Sequence, residues 1–291
     1  MSGRRRDPLP LGDPGGLPYS KGLMARALVA AGVSIELAYL LAKRLELDLA
    51  ERDARTVSFE HLEERAAELL GEEEGPRITL RLRRLAAFQA LEAPIVLLVG
   101  GATGTGKSTV ATEVAHVLGI TRVTSTDFIR QTIRAFFSER SMPSVHHSSF
   151  EGDPVLLGFL DQTRNVLVGV DAAMDRALAE GWSMVLEGVH LVPGMMPAEI
   201  EGALVVHTVL AVENEDVHRT RFHVRDELTG GVRAMDKYLD QLYEIRQIQD
   251  YLVERADKHR VPVIESSNIE RATTAVLELV LALTDRVEML V

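Results

Sequence analysis

The chain has 291 residues, 46% hydrophobic and 26% charged, with no cysteine and a net charge of −11 at pH 7. Its length allows two domains and a sizeable core, and the lack of cysteine excludes disulfides, thiolate metal sites and cysteine nucleophiles. The acidic balance argues against nucleic acid as a partner, so any anionic substrate must be drawn in by a local cluster of Arg and Lys. Arg4, Arg5 and Arg6 are followed by no apolar segment of the secretory kind, and no apolar run reaches membrane-spanning length. A cytoplasmic protein with no membrane partner is therefore expected.

In chain order, Pro8, Pro10, Pro14, Gly15, Gly16 and Pro18 predict an irregular start or a hairpin. Ser20 is placed to cap a helix whose stripe is Leu23, Met24, Ala27, Leu28 and Ala31, ended by Gly32. Ser34 caps a second, with Leu37, Ala38, Leu41 and Leu45 inward. Ser58 caps a third, with Phe59, Leu62, Ala66 and Leu69 inward, stopped by Gly71. Glu72 to Pro76 reads as a solvated connector, and a fourth helix carries Leu80, Leu85, Phe88 and Leu91 inward. From Pro94 onward strands alternate with helices, the pattern of a parallel α/β sheet. Strands are predicted near Ile95–Val99, Arg122–Ser125, Ser183–Leu186, Leu204–Val212 and Val261–Ile264, with a closing helix over Glu270–Leu283. The expected organisation is a helical module over 1–92 and an α/β domain over 93–291.

Between the first strand and the helix after it lies Gly100-Gly101-Ala102-Thr103-Gly104-Thr105-Gly106-Lys107-Ser108-Thr109. It fits G-x-x-x-x-G-K-[ST] on Gly101, Gly106, Lys107 and Ser108. Glycines let successive N–H groups turn towards phosphate oxygens, and the helix N-terminus adds positive partial charge there. ATP would be cradled by Gly101 to Thr109, with Lys107 on its β- and γ-phosphates and the Ser108 hydroxyl on Mg²⁺. A dinucleotide fingerprint fits worse, since Thr109 stands where a third Gly is needed.

Three further constellations could carry chemistry. Asp127, Arg130 and Arg134 share one helix face after the second strand, beside an apolar stripe of Ile129, Ile133, Phe136 and Phe137. Asp127 there could meet Mg²⁺ or an acceptor hydroxyl, and Arg130 suits a carboxylate or phosphate; a capping Asp with an intrahelical pair is the plainer alternative. Glu187 ends the third strand as an acid does in Walker B, suiting direct Mg²⁺ ligation less than a water-positioning role, with a solvent-exposed strand end as the alternative. Arg221 and Arg225, one helical turn apart, describe a lid closing on transferring phosphate, unless they pair with Glu215, Asp226 and Glu227 on the surface. His146 and His147 sit in a Ser/Pro-rich loop, no His spacing argues for zinc, and Asn268 is a candidate contact for the nucleotide base.

Taken together these residues resemble the 2-phosphoglycerate kinase family. The matching stretches are the Gly100–Thr109 loop, Ser125-Thr126-Asp127-Phe128-Ile129-Arg130, Leu186-Glu187-Gly188-Val189-His190-Leu191-Val192-Pro193-Gly194, Arg221-Phe222-His223-Val224-Arg225, Lys237-Tyr238 and Ile245-Arg246-Gln247-Ile248-Gln249. The resemblance implies a P-loop NTPase three-layer fold with a five-stranded parallel sheet. It also implies ATP-dependent phosphorylation of a hydroxyl of a small phosphorylated acid. In that reaction Lys107, Asp127, Arg221 and Arg225 would be catalytic, Arg130, Arg134 and Glu187 would meet substrate, and Ser108 and Glu187 would meet the metal. Pro18-Tyr19-Ser20-Lys21-Gly22-Leu23 and the helices after it resemble an ATP-cone, although Arg5-Arg6-Asp7 echoes that module's opening only loosely. A packing or dimerisation unit, hence a homo-oligomer, is the alternative for this module. For the whole chain the alternatives are a kinase of another acceptor (an inositol phosphate, sugar acid or nucleotide sugar) and an ATP-sensing regulator.

Overall fold

The computed structural model describes residues 19–91, 93–229 and 235–288, with the side chains of 223–229, 235 and 284–288 excepted. The irregular start and Arg5-Arg6-Asp7 lie outside the described residues. The chain divides into two compact units, Met1–Glu92 with Leu281–Val291, and Ala93–Val280.

The first unit is helical: α1 (Lys21–Ala30), α2 (Ile35–Glu51), α3 (Phe59–Leu70) and α4 (Glu74–Ala90). Ser20, Ser34 and Ser58 cap the first three, each hydroxyl accepting from a backbone N–H three residues on, worth about 1 kcal/mol apiece. Met24, Leu28, Leu41, Leu45, Leu62, Leu82 and Phe88 form its buried interior. Asp48 of α2 accepts from His61 at 2.9 Å and Arg65 at 2.6 Å on α3. Three expectations need correction. Glu72 to Pro76 is not a connector: α4 begins at Glu74, and Gly75 is buried because its missing side chain lets the α3 backbone pass close. Leu80 is 50% exposed, since the buried stripe of α4 runs through Ile78, Leu82, Leu85 and Phe88 and leaves it on the far side. Leu37, 37% exposed, sits one residue off the α2 stripe that begins at Ala38.

The second unit is built on five strands: β1 (Ile95–Gly101), β2 (Val123–Ser125), β3 (Met184–Gly188), β4 (Leu204–Ala211) and β5 (Val263–Glu265). All pair in parallel in the order β2-β3-β1-β4-β5. Every residue of β1 is buried, which requires cover on both faces because successive side chains alternate. The helices of this unit are α5 (Lys107–Leu118), α6 (Thr126–Phe136), α7 (Val155–Ala179), α8 (Glu215–Thr229), α9 (Met235–Asp240), α10 (Leu242–His259) and, as far as Val280, α11 (Ile269–Glu288). Val96, Leu98 and Leu186 pack with Val166, Val170 and Met174 of α7. A second cluster joins Val209 to Phe222, Leu242, Ile245, Ile248 and Leu252 of α8 and α10. The apolar stripe expected on α6 stops at Ile133: Ile129 is buried, but Phe136 is 81% and Phe137 46% exposed at the helix's free end. Among the described residues no helix is long and apolar enough to cross a membrane.

The register decides where chemistry can occur. Glu187 on β3 stands beside Val99 of β1 on one side and Ser125 of β2 on the other. The carboxyl ends of the three strands therefore bring the β1–α5 loop, Glu187 and the start of α6 to one edge. That crevice is where open parallel sheets bind ligands.

Candidate active site

The carbonyls of the β1–α5 loop are tied by side chains. Ala102 O accepts from Lys107 Nζ at 2.9 Å and Thr105 Oγ1 at 3.0 Å. Thr103 O accepts from His218 Nε2 at 2.8 Å, Gly104 O from Arg221 Nη1 at 3.3 Å, and Thr105 O from Ser266 Oγ at 2.8 Å. With four consecutive carbonyls engaged in this way, the loop's N–H groups other than Thr105 N, which bonds Ala102 O at 3.4 Å, are donors that can serve a ligand. Gly106 makes the turn into α5 at φ 84°, a conformation costly for any side chain. α5 then starts at Lys107, so the end of its dipole meets the same point.

Lys107, half-buried, and Glu187, buried, are the charges of this edge. Burial lowers the pKa of Lys107 and raises that of Glu187. Glu187 is 7% exposed, and its Oε1 accepts from Ser108 Oγ at 2.9 Å. A solvent-exposed strand end is therefore excluded for it. A half-buried ammonium and a buried carboxylate are groups that a phosphate and a divalent cation would satisfy together, so the residues present fit a Mg²⁺–nucleotide. Among the described residues no cluster of three or more His, Asp and Glu offers a cation site by itself. Mg²⁺ is commonly held this way, by one or two protein groups and the substrate's phosphates.

The neighbouring edge is made by α6. Ser125, not Asp127, caps this helix, accepting from Phe128 N at 3.0 Å. That leaves the Asp127 carboxylate 71% exposed, 3.5 Å from Arg130 Nε, with its charge acting on Lys107, Glu187 and His190. Arg130 is only 13% exposed. Its Nη1 donates to the carbonyls of Val145 at 3.2 Å and His147 at 2.9 Å, while Nε is buried without a hydrogen-bond partner. Arg134 is exposed further along α6. His146 Nε2 bonds Phe137 O at 2.9 Å, and His147 lies 3.7 Å from Glu139.

Some expected residues have other occupations. Asn268 Oδ1 caps α11, accepting from Arg271 N at 2.8 Å, which commits its oxygen. Arg221 does not pair with Glu215, and the side chains of Asp226 and Glu227 lie outside the described residues. It rests on Gly104 O and donates through Nη2 to Ser266 O, so it braces the P-loop rather than standing off as a lid. Glu215 pairs instead with Arg219 and Arg246. The Arg225 side chain lies outside the described residues. Sequence reasoning missed Gln162 and gave Thr126, His218 and Ser266 no role, although each lies in a stretch it singled out. Gln162 had a signal, an amide inside the buried stripe Phe159, Thr163, Val166 and Val170 of α7. His190 lay within a quoted motif without a role.

No family model matches the chain. It is 36% identical over 272 residues to the 2-phosphoglycerate kinase of Methanopyrus kandleri, covering 90% of this chain and 83% of that one. It is 37% identical over 270 residues to that of Methanothermobacter thermautotrophicus, covering 88% and 87%, and 34% identical to that of Pyrococcus furiosus, covering 90% and 89%. Among solved structures a gluconokinase from Sinorhizobium meliloti matches with a TM-score of 0.38 at 17% identity, over 68% of this chain and 98% of that one. That likeness adds nothing to the fold beyond the sheet order itself. On the strength of alignments that run through both the P-loop edge and the α6 edge, this chain belongs to the 2-phosphoglycerate kinase family.

Proposed function

We propose that this chain transfers the terminal phosphoryl group of ATP to the free hydroxyl of 2-phosphoglycerate, giving 2,3-bisphosphoglycerate and ADP. The supporting observation is the junction of two edges on adjacent strands: Lys107, Ser108 and Glu187 beside Asp127 and Arg130, in a chain aligned over about nine-tenths of its length with proteins of that name. The Ala93–Val280 unit carries the chemistry, and work on ATP and a small phosphorylated acid suits a cytoplasmic protein.

The backbone from Gly101 to Thr109 receives the triphosphate, and Lys107 neutralises its outer oxygens. Ser108 and Glu187 would hold Mg²⁺ through its waters, and the ion would supply charge neutralisation on the transferring group. Asp127 orients the acceptor hydroxyl and takes its proton as the new O–P bond forms and the β–γ bridge bond breaks. Arg130 and Arg134 receive the acceptor's carboxylate and phosphate. Arg221, already at Gly104, and Arg225 one turn on offset the charge on the moving phosphoryl group.

The test is ADP release by the purified protein with ATP and Mg²⁺ across 2-phosphoglycerate, 3-phosphoglycerate, glycerate, gluconate and inositol phosphates. Stimulation greatest with 2-phosphoglycerate, and absent in Lys107→Ala, is the expected result. Greater stimulation by another acceptor would reassign the substrate.

A further inference from the structure

His190 is completely buried, and no step described above uses it. Its hydrogen bonds can be given directions. Gln162 Oε1, 2.8 Å from His190 Nε2, can only accept, so Nε2 carries the proton. Nδ1 is then an acceptor, and Thr126 Oγ1 donates to it at 2.8 Å. Gln162 in turn donates through Nε2 to the carbonyls of Ser144 and of His147, the latter at 3.0 Å. His147 O is also held by Arg130 Nη1 at 2.9 Å, and Val145 O by the same nitrogen at 3.2 Å. Thr126 and Arg130 lie one turn apart on α6, on the same face. The bonds thus close a ring, from Thr126 through His190 and Gln162 to the 144–147 segment and back through Arg130 to α6.

The ring has consequences for Arg130. Its Nη1 is fixed by the carbonyls of Val145 and His147; Gln162 holds the second of these and also Ser144 O, one residue before the first. Nε is buried with no hydrogen bond, and its partner is the ion-paired Asp127 carboxylate at 3.5 Å. A planar fork held from one corner presents its opposite edge in a set orientation, the geometry that bidentate binding of a carboxylate or phosphate needs. Gly188 is part of the construction, because a Cβ there would lie 1.8 Å from Thr126 Oγ1. The neutral state of His190 keeps the directions constant: burial lowers its pKa to about 4.

We infer that His190, with Thr126 and Gln162, is a positioning residue that orients Arg130 for the anionic group of the acceptor by pinning the 144–147 segment. The inference rests on the acceptor-side reading of α6 given above. It concerns acceptor binding and not nucleotide binding, and that separation makes it testable.

The experiment compares wild type, Gln162→Met, Thr126→Val and Thr126→Ser, each alone and with Arg130→Ala. The readouts are KM for 2-phosphoglycerate, KM for ATP, and amide hydrogen exchange across residues 143–147. Gln162→Met and Thr126→Val should raise the acceptor KM by about tenfold or more and leave the ATP KM within about twofold. Thr126→Ser, which keeps the hydroxyl, should restore it. With Arg130 already replaced, the same changes should add less than about twofold, because the ring acts through that side chain. Exchange across 143–147 should rise in the two disruptive variants. Equal increases in both KM values, or effects that multiply with Arg130→Ala, would overturn the inference, as would unchanged exchange. Should Gln162→Met fail to fold, the near-isosteric Thr126→Val and Thr126→Ser pair decides by the same split. If wild type makes no ADP in response to 2-phosphoglycerate, the function reading fails and takes the acceptor half of the inference with it; hydrogen exchange still decides whether the ring pins the segment.

Discussion

The two edges of the crevice are built on one device but differ in how the chain encodes them. At the nucleotide edge, the carbonyls of Ala102 to Thr105 are tied by Lys107, Thr105, His218, Arg221 and Ser266. At the α6 edge, the carbonyls of Ser144, Val145 and His147 are tied by Gln162 and Arg130. In both, side chains from distant segments hold a loop so that other groups face the ligand. The difference is in the ligand-facing groups. At the nucleotide edge these are backbone amides of one contiguous run, which any triphosphate can use. At the α6 edge they are the side chains of Asp127 and Arg130, whose aim depends on α7 and on the segment after β3. The contrast teaches that the generic half of such a site is local in sequence, whereas the half proposed here to set specificity is assembled over long range.

Four kinds of measurement would break or sharpen this contrast. The largest effect belongs to the nucleotide edge. Lys107→Ala should lower acceptor-dependent turnover by about three orders of magnitude, as loss of a preorganised charge at a transferring group does. A loss below tenfold in steady-state assays would remove Lys107 from the reaction. On the other edge, Asp127→Asn should lower kcat by about a hundredfold or more, the scale of general-base catalysis, with ATP affinity nearly intact. Isothermal titration with ATP separates the two, and a variant that keeps its turnover shows that Asp127 is not the base.

The third concerns pH. His190 and His207 are both driven by burial to a pKa of about 4, against about 6.5 in an unfolded chain. Between those values the unfolded state binds more protons, so stability is fully present above pH 6.5 and is lost as pH falls towards 4. Each histidine contributes on the order of 3 kcal/mol across the window. Thermal unfolding should therefore move to lower temperature over this range, less steeply in His207→Gln, whose ring lies away from the ring of bonds and holds Leu191 O. A flat profile would mean that neither imidazole is buried as described. The smallest effect is at the α11 cap. Asn268→Ala should cost about 1 kcal/mol in denaturant unfolding and Asn268→Asp almost nothing, because aspartate keeps the capping oxygen. An ATP KM that rises in Asn268→Asp would put this side chain on the nucleotide base after all.

Much of the fold was legible because its signals are short-range. All five strands overlap the segments expected for them, and β1 was plainest, since a fully covered parallel strand must be apolar throughout. The helix caps at Ser20, Ser34 and Ser58 needed only three residues of context. What failed depended on neighbours. Gly75 and Pro76 look like a connector until α3 is placed against them. Phe136 looks like core until α6 is seen to end there in solvent. Asn268 has the chemistry for a base contact and the position of a helix cap, and only the α11 boundary decides that its oxygen is the cap. In the site, Lys107, Ser108 and Glu187 were readable from motif and strand end. The carbonyl-tying donors were not, because His218, Ser266 and Gln162 gain meaning only through partners far away in the chain.

The most direct test of the central claim is transfer of label from γ-³²P-ATP to 2-phosphoglycerate by the wild-type protein, with the product resolved by chromatography. The account predicts label in 2,3-bisphosphoglycerate, formed in step with ADP and absent with Lys107→Ala. Label appearing only as inorganic phosphate, whether or not 2-phosphoglycerate is present, would contradict it.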